Sequence, residues 1–253
     1  MKVLKIILPL LVTLLAFVSC EQNADAPAPL QGTVKVTFSN KVKGTNLVLN
    51  TGSYINNTGE TYSVKKFKYY ISNVSVTNID KAATEVESYH LIDQSNAASL
   101  SFSFTANAET YSHLNFIIGV DSLRNVSGAQ TGALDPLNDM FWTWNSGYIM
   151  AKLEGTSPAS AQVNNKIEYH IGGFSGPNNV LKKINITLPI TAQMLNIRAN
   201  KTSEIFIDAD VDKWFSNNIS FATEPVCTTP GALAKKIADN YMNMFTVTNV
   251  VNN

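Results

Sequence analysis

Apolar and polar residues alternate along most of this chain with the period of a half-buried strand. Val34, Val36 and Phe38 alternate with Lys35, Thr37 and Ser39. Residues i and i+2 of a strand share a face, so such a segment buries one side and wets the other. Residues 47–49 read as a short second strand, and Asn56-Asn57-Thr58-Gly59 as a turn. Residues 62–77 form a long strand pattern in which Phe67, Tyr69 and Ile71 share one face, and Lys66, Lys68 and Tyr70 the other. Ser72-Asn73 interrupts it as a bulge would. Residues 89–93 give another short strand, and residues 100–105 and 111–120 read as a hairpin across 106–110. Residues 142–153, 167–171, 180–188 and 204–211 continue the series. The sum is an all-β fold, an immunoglobulin-like antiparallel β-sandwich of about nine strands.

The period changes at the C-terminus. Thr229 precedes Pro230, a helix-start signal with proline at the first helical position. Leu233, Ile237, Tyr241 and Met244 or Phe245 then recur at helical spacing, which predicts one helix over about residues 230–245 packed on the sandwich.

The N-terminus reads as a processing segment. Lys2 and Lys5 precede an apolar run over residues 6–18, which ends at Ser19 and Cys20. The run is short for a spanning helix and has the form of a secretory signal. Cysteine directly after Ala16-Phe17-Val18-Ser19 resembles a bacterial lipobox, with cleavage before Cys20 and lipidation of that residue as the consequence. The domain plan is therefore a lipoprotein signal peptide over 1–20, a Pro/Ala-rich linker over 21–31 containing Ala26-Pro27-Ala28-Pro29, and one β-sandwich domain over 32–253. The expected partner of Cys20 is the lipid bilayer. The expected address is membrane-anchored, facing the periplasm or the cell surface, at the outer membrane. With Cys20 lipidated, Cys227 is the one cysteine left, so an internal disulfide is excluded and a packed core must stabilise the domain. Lys plus Arg and Asp plus Glu both number 19, with no basic tract, so nucleic acid is not an expected partner.

The chain lacks a G-x-S-x-G nucleophile elbow and a glycine-rich phosphate loop. Cys227 lies between Val226 and Thr228 with no base beside it, which reads as a buried, inert thiol. Glu85 and Glu87 fall in an expected hairpin turn as solvated charges. The three histidines, His90, His113 and His170, show no local metal-binding spacing, so a metal site has to assemble in space. The stretch Met140-Phe141-Trp142-Thr143-Trp144-Asn145-Ser146-Gly147-Tyr148 holds two of the three tryptophans. Trp142 and Trp144, two apart, serve either as packing anchors or as part of a site. Upstream, Asp121, Asn125, Asp135 and Asp139 offer oxygen atoms of the kind calcium takes, though turn capping explains such residues equally well.

Several longer motifs together resemble one family. They are Phe67-Lys68-Tyr69-Tyr70-Ile71-Ser72-Asn73-Val74, Tyr89-His90-Leu91-Ile92-Asp93, Phe116-Ile117-Ile118-Gly119-Val120-Asp121 with Asn125, Gly132-Ala133-Leu134-Asp135-Pro136, the Met140 to Tyr148 stretch, Tyr169-His170-Ile171-Gly172-Gly173 and Ala238-Asp239-Asn240-Tyr241. Across about residues 32–249 the chain resembles the MbnP-like family, named for the periplasmic partner of methanobactin, in its Bacteroidetes-type lipoprotein branch. The resemblance implies an extracytoplasmic β-sandwich associated with copper. It also implies a tryptophan that is oxidised to kynurenine by a di-haem cytochrome c peroxidase-like partner. Carried onto this chain, the implied metal residues are His170, His90, Trp142 and Trp144. The better-known branch has a histidine directly after the asparagine that matches Asn125, whereas this chain has Val126.

Two readings follow. In the first, the protein is a non-enzymatic, membrane-tethered lipoprotein that binds or handles copper near the tryptophan loop. In the second, it is a structural or interaction lipoprotein without metal, whose tryptophans pack the core or anchor a partner. Hydrolysis has no visible nucleophile–base pair to support it.

Overall fold

The computed structural model describes residues 29–128, 130–143, 147–188 and 194–253. Its longer strands are β1 (Gln31–Val42), β2 (Thr61–Thr77), β3 (Tyr89–Asp93), β4 (Ser101–Asn107), β5 (His113–Ile118), β6 (Gly147–Thr156), β7 (Lys166–Gly172), β8 (Lys182–Thr187), β9 (Thr202–Asp210) and β10 (Phe245–Val251). One sheet runs β10-β9-β1, with β4 on the far edge of β1. In the other, β8 pairs with β5, both β5 and β6 pair with β2, and β6 pairs with β7, which ends the sheet on a short Val226–Cys227 strand. The two curl around a common core as a sandwich-like all-β fold.

Alternation decides which side chains enter that core. From β1 come Val34, Val36 and Phe38; from β2 come Phe67, Tyr69 and Ile71, all essentially inaccessible. Phe38 meets Tyr69 edge-on at 6.1 Å and Phe245 at 6.0 Å, and Phe116 meets Phe245 at 5.1 Å. Edge-to-face contacts of this kind add to area burial. The Tyr69 hydroxyl, deep between the sheets, donates to Asn40 Oδ1 at 3.0 Å, which removes the cost of burying it. Trp214, the third tryptophan, is wholly buried between Phe67 and Tyr241.

β2 is the strand on which the second sheet is built. Tyr69 pairs with both Ala151 and Ile92, and Ile71 with both His90 and Ile118. β6 and β5 therefore occupy successive halves of one edge, and β3 lies on the other. Between Ser72 and Ser75 the register shifts, and Asn73 has a left-handed φ of 54°, the expected bulge.

Five local expectations change. Residues 142–153 are not one strand: Phe141–Trp142 pairs back on Gly147–Tyr148, where β6 begins. Residues 47–49 are not a strand; Thr45–Asn46 instead pairs with the end of β1, and Leu47 turns inward as a buried loop residue. β4 and β5 are not a hairpin: β4 pairs with β1 in one sheet and β5 with β2 and β8 in the other. The C-terminal helix spans Ala232–Tyr241 with Gly231 as its N-cap, and Phe245 begins β10 instead of ending the helix. Pairing is not wholly antiparallel, since β1 runs parallel to β9 and β7 to Val226–Cys227.

Candidate functional site on the outer face of the second sheet

Alternation sends Ile167, Tyr169 and Ile171 of β7 into the core and leaves Glu168 and His170 on the outer face, both partly exposed. The register sets Lys152 beside His170 and Glu154 beside Glu168. On the other side of β6, Lys152 adjoins Lys68 and Glu154 adjoins Lys66. The outer face is thus a block of charge laid out by three strands.

Within it, His170 Nε2 lies 2.9 Å from Glu154 Oε1 and 3.8 Å from Glu168 Oε1. The ligand atoms of these three residues all lie within 4.8 Å of one another, the one such group of three among the described residues. The His170 imidazole is the main cause that holds the Glu154 carboxyl below its usual range. Lys152 is buried to its tip and its pKa is lowered by that burial. Its ammonium donates to the carbonyl of Asp139 and lies 3.0 Å from Asp139 Oδ2 and 3.9 Å from Glu154 Oε1. Lys66 bridges the same two acids, at 2.9 Å from Asp139 and 3.3 Å from Glu154.

The loop between β5 and β6 covers the next part of this face. Trp142 pairs with Gly147, and its indole lies against Gly172, the residue after His170 on the outer face. Trp142 is 6 % exposed. A pocket of about 340 Å³ opens beside it, lined by Asn125, Val126, Trp142, Tyr148, Phe174 and Pro230 among others. Asn125 holds the loop in place: its amide donates to the Val120 carbonyl at 2.5 Å, and its Oδ1 accepts from Tyr148 N–H at 3.0 Å. Tyr148 in turn donates to the Leu134 carbonyl at 2.8 Å and meets Tyr70 edge-on at 5.8 Å.

The oxygen-bearing loop residues do separate structural work. Asp121 caps the single-turn helix Ser122–Asn125 through the N–H groups of Leu123 and Arg124, and accepts from the Tyr89 hydroxyl. Burial and that bond push the Tyr89 phenol up to about 12. Asp135 caps the next turn through Leu137 N–H at 2.9 Å. Asp139, at a left-handed φ of 62°, is the lysines' partner. With the Asn125 amide committed to the backbone, these four are spread over separate contacts and do not converge on a common point.

His90 and His170 do not meet. His90 pairs with Ile71, whose side chain enters the core, whereas His170 lies in the row Asp93–Lys68–Lys152–His170 on the opposite face. The His90 ring instead stacks on Phe102 of β4 at 3.7 Å and bonds Glu85 Oε2 at 2.8 Å. Glu85, expected as a solvated charge, is therefore mostly covered and also accepts from Ser88 Oγ at 2.6 Å. His113 bonds its neighbour Ser112 at 2.8 Å. Cys227 is buried, and that burial pushes its thiol up to about 11. Trp144 and Cys20 lie outside the described residues. Glu154 and Glu168 escaped the reading of the sequence. Glu168 stands two before His170, a visible same-face signal, but Glu154 joins them only through the cross-strand register.

No curated protein matches the chain. Among solved structures, MbnP from Methylosinus trichosporium is similar in fold, with a TM-score of 0.51 at 12 % identity, covering 78 % of this chain and 83 % of that one. The MbnP family model matches residues 31–229, from the first strand to the segment before the C-terminal helix. The chain belongs to the MbnP family.

Proposed function

We propose that this protein is a non-catalytic, lipid-tethered extracytoplasmic member of its family that handles copper beside Trp142. The observation that carries the reading is the placement of Trp142 over Gly172, on the face that presents His170 two residues away. Two motifs separated by about thirty residues of chain are thereby brought to one place. Imidazole is a ligand that copper accepts readily. His170, with Glu154 at 2.9 Å and the Trp142 indole on the same face, is the set that would hold the ion. Copper is the cargo here, and the residues' part is to bind and orient it on this face, next to the pocket that Trp142 shares with Tyr148, Phe174 and Pro230. Trp142 or Trp144 is the tryptophan that a di-haem cytochrome c peroxidase-like partner would oxidise with peroxide as oxidant. Cys20, lipidated, would hold the domain at the membrane through the linker over residues 21–31.

The test is copper titration of the mature domain, its His170→Ala variant and its Trp142→Phe variant. Tight binding by the wild type that weakens in both variants is expected. Equal, weak binding by all three overturns the reading. Peptide mapping across residues 140–152 of protein from its native envelope names the oxidised tryptophan.

A second reading is favoured by one observation. Val126 occupies the pocket rim where an imidazole is expected from the family pattern, and it is 68 % exposed beside Leu123 at 75 %. An apolar rim around an aromatic floor suits insertion of a partner's side chain without metal. Retained partner capture by a metal-free His170→Ala protein would favour it.

A further inference from the structure

We propose that Glu154, Glu168 and His170 form a binding site for a divalent cation of the zinc class, which shares His170 and Glu154 with the copper reading but lies outside the Trp142 pocket. The inference needs neither Trp142 nor copper. It stands on the geometry of three side chains fixed by two paired strands.

Glu168 and His170 project from one face of β7 at the i, i+2 spacing, and Glu154 faces Glu168 across the β6–β7 ladder. Neither strand is free to change register, because Ile167, Tyr169, Ile171, Ala151 and Leu153 on their other faces are buried in the core. Zinc bonds to imidazole nitrogen and carboxylate oxygen are about 2.0–2.2 Å long, so ligands in tetrahedral array stand about 3.3 Å apart. His170 Nε2 is already 2.9 Å from Glu154 Oε1 and 3.8 Å from Glu168 Oε1. Small side-chain rotations about a fixed backbone bring all three to bonding distance. The ion takes the Nε2 lone pair, with the imidazole proton on Nδ1.

Three protein ligands leave a fourth position open, and the structure provides a way in. A pocket of about 230 Å³ opens on Glu154 and Glu168 between Thr156 and Asn164, with Lys65 and Lys166 at its sides. The donor set is one nitrogen and two carboxylates. It suits Zn²⁺ or Cu²⁺ and offers no soft sulfur for Cu⁺.

The surrounding lysines set the affinity. Lys66 is 3.3 Å from Glu154, and Lys166 is 2.6 Å from Glu168. They neutralise the carboxylates when no ion is bound and must yield to one. Lys66 and Lys152 can do so without being stranded, because both also hold Asp139, at 2.9 and 3.0 Å. Lys166 is half exposed and can turn to water. Competition of this kind points to exchangeable binding at micromolar concentrations and away from a permanently loaded structural site.

The experiment is calorimetric titration of the chelator-stripped mature domain with Zn²⁺, alongside Glu168→Gln, His170→Ala and Trp142→Phe. One equivalent bound in the micromolar range is expected, weakened about 10-fold or more by Glu168→Gln and by His170→Ala, since even outer partners of metal ligands are worth that much. Trp142→Phe should leave it unchanged. Thermal melts without metal establish that each variant folds. Absence of saturable zinc binding, or binding indifferent to Glu168→Gln, overturns the inference. Zinc binding lost in Glu168→Gln, beside copper binding indifferent to Trp142→Phe, would sustain this site while removing the copper reading. Copper binding weakened by Trp142→Phe, with no zinc binding sensitive to Glu168→Gln, would remove this site alone.

Discussion

The indole of Trp142 occupies the space that a side chain at Gly172 would need. A Cβ placed on Gly172 would lie 2.4 Å from Trp142 Cζ3 and 2.5 Å from Cη2. The tryptophan loop and the Tyr169 to Gly173 motif are thus two halves of one contact, and glycine is required at position 172 for space. Gly172→Ala should push the indole outward. The expected outcome is a red-shifted Trp emission with greater acrylamide quenching and a loss of stability of about 1–3 kcal/mol from overpacking. Unchanged emission and melting would show that Trp142 does not rest on Gly172. If the copper reading holds, affinity for copper falls in the same variant.

Asn125 fastens the tryptophan loop to the sheet. Its side chain is 1 % exposed and bonds both the Val120 carbonyl and the Tyr148 N–H. Asn125→Ala would leave two buried backbone groups unpaired, at about 1–3 kcal/mol. The expected signature is faster amide exchange at Tyr148 and along the loop, with the β1–β9 ladder as protected as before. Uniform protection would show that the loop is held by other contacts. Asn125→Asp keeps the acceptor for Tyr148 but sets a buried carboxylate against the Val120 carbonyl, so at neutral pH its loss should exceed that of Asn125→Ala and shrink as the carboxyl protonates.

How much of this was legible in the sequence follows from what period-2 patterns encode. The faces of β1, β2, β7 and β9 read directly, because one side of each is buried. Pairing partners did not. β4 and β5 are neighbours in the chain, yet each finds a different sheet, a choice set by tertiary contacts of Phe104 with the β1 side and Leu114 with the β2 side. β10 was hidden because Phe245 falls at helical spacing from Tyr241, although the helix ends at that tyrosine and Phe245 packs on Phe38. At the site, Trp142 and His170 stood out by residue type. That His90 faces away from His170, and that Glu154 faces toward it, depends on cross-strand register, which alternation alone leaves open.

Asp139 serves two lysines from a left-handed turn position. Burial raises its pKa, and hydrogen bonds from Lys66 and Lys152 outweigh that and lower it. Asn tolerates the φ of 62° as well as Asp does, so Asp139→Asn removes charge without backbone strain. Lys152 would keep the Asp139 carbonyl but lose its nearest carboxylate. The Asp139 side chain is 56 % exposed, so solvent screens the pair and the expected loss is only about 1 kcal/mol. Lys152→Met, of similar length and uncharged, should be neutral or stabilising in the Asp139→Asn background, because a buried charge without a partner is the costly state. A double-mutant cycle in thermal melts that shows no coupling between 139 and 152 would contradict this.

The clearest pH dependence lies away from the site, at Glu60. Burial alone would raise its carboxyl. Donors from Ser220 at 2.7 Å, Phe221 N–H at 2.8 Å, Asn56 at 2.8 Å and Thr58 at 2.8 Å outweigh burial and lower it to about 2. These bonds tie the turn before β2 to the segment at Ile219–Phe221 that packs on Tyr62. The folded pKa lies below the ordinary carboxylate value of 4.5. The unfolded state therefore binds the proton more readily, and the stabilisation is complete above about pH 5 and lost as pH falls toward 2. Glu60→Gln keeps an acceptor but not the charge. It should lower the melting temperature at pH 7 and flatten the acid limb between pH 5 and 2, so that wild type and variant converge at low pH. Parallel acid limbs in the two proteins would assign the acid sensitivity to other carboxylates, with Asp239, held by Lys182 and Lys235, as the next group to replace.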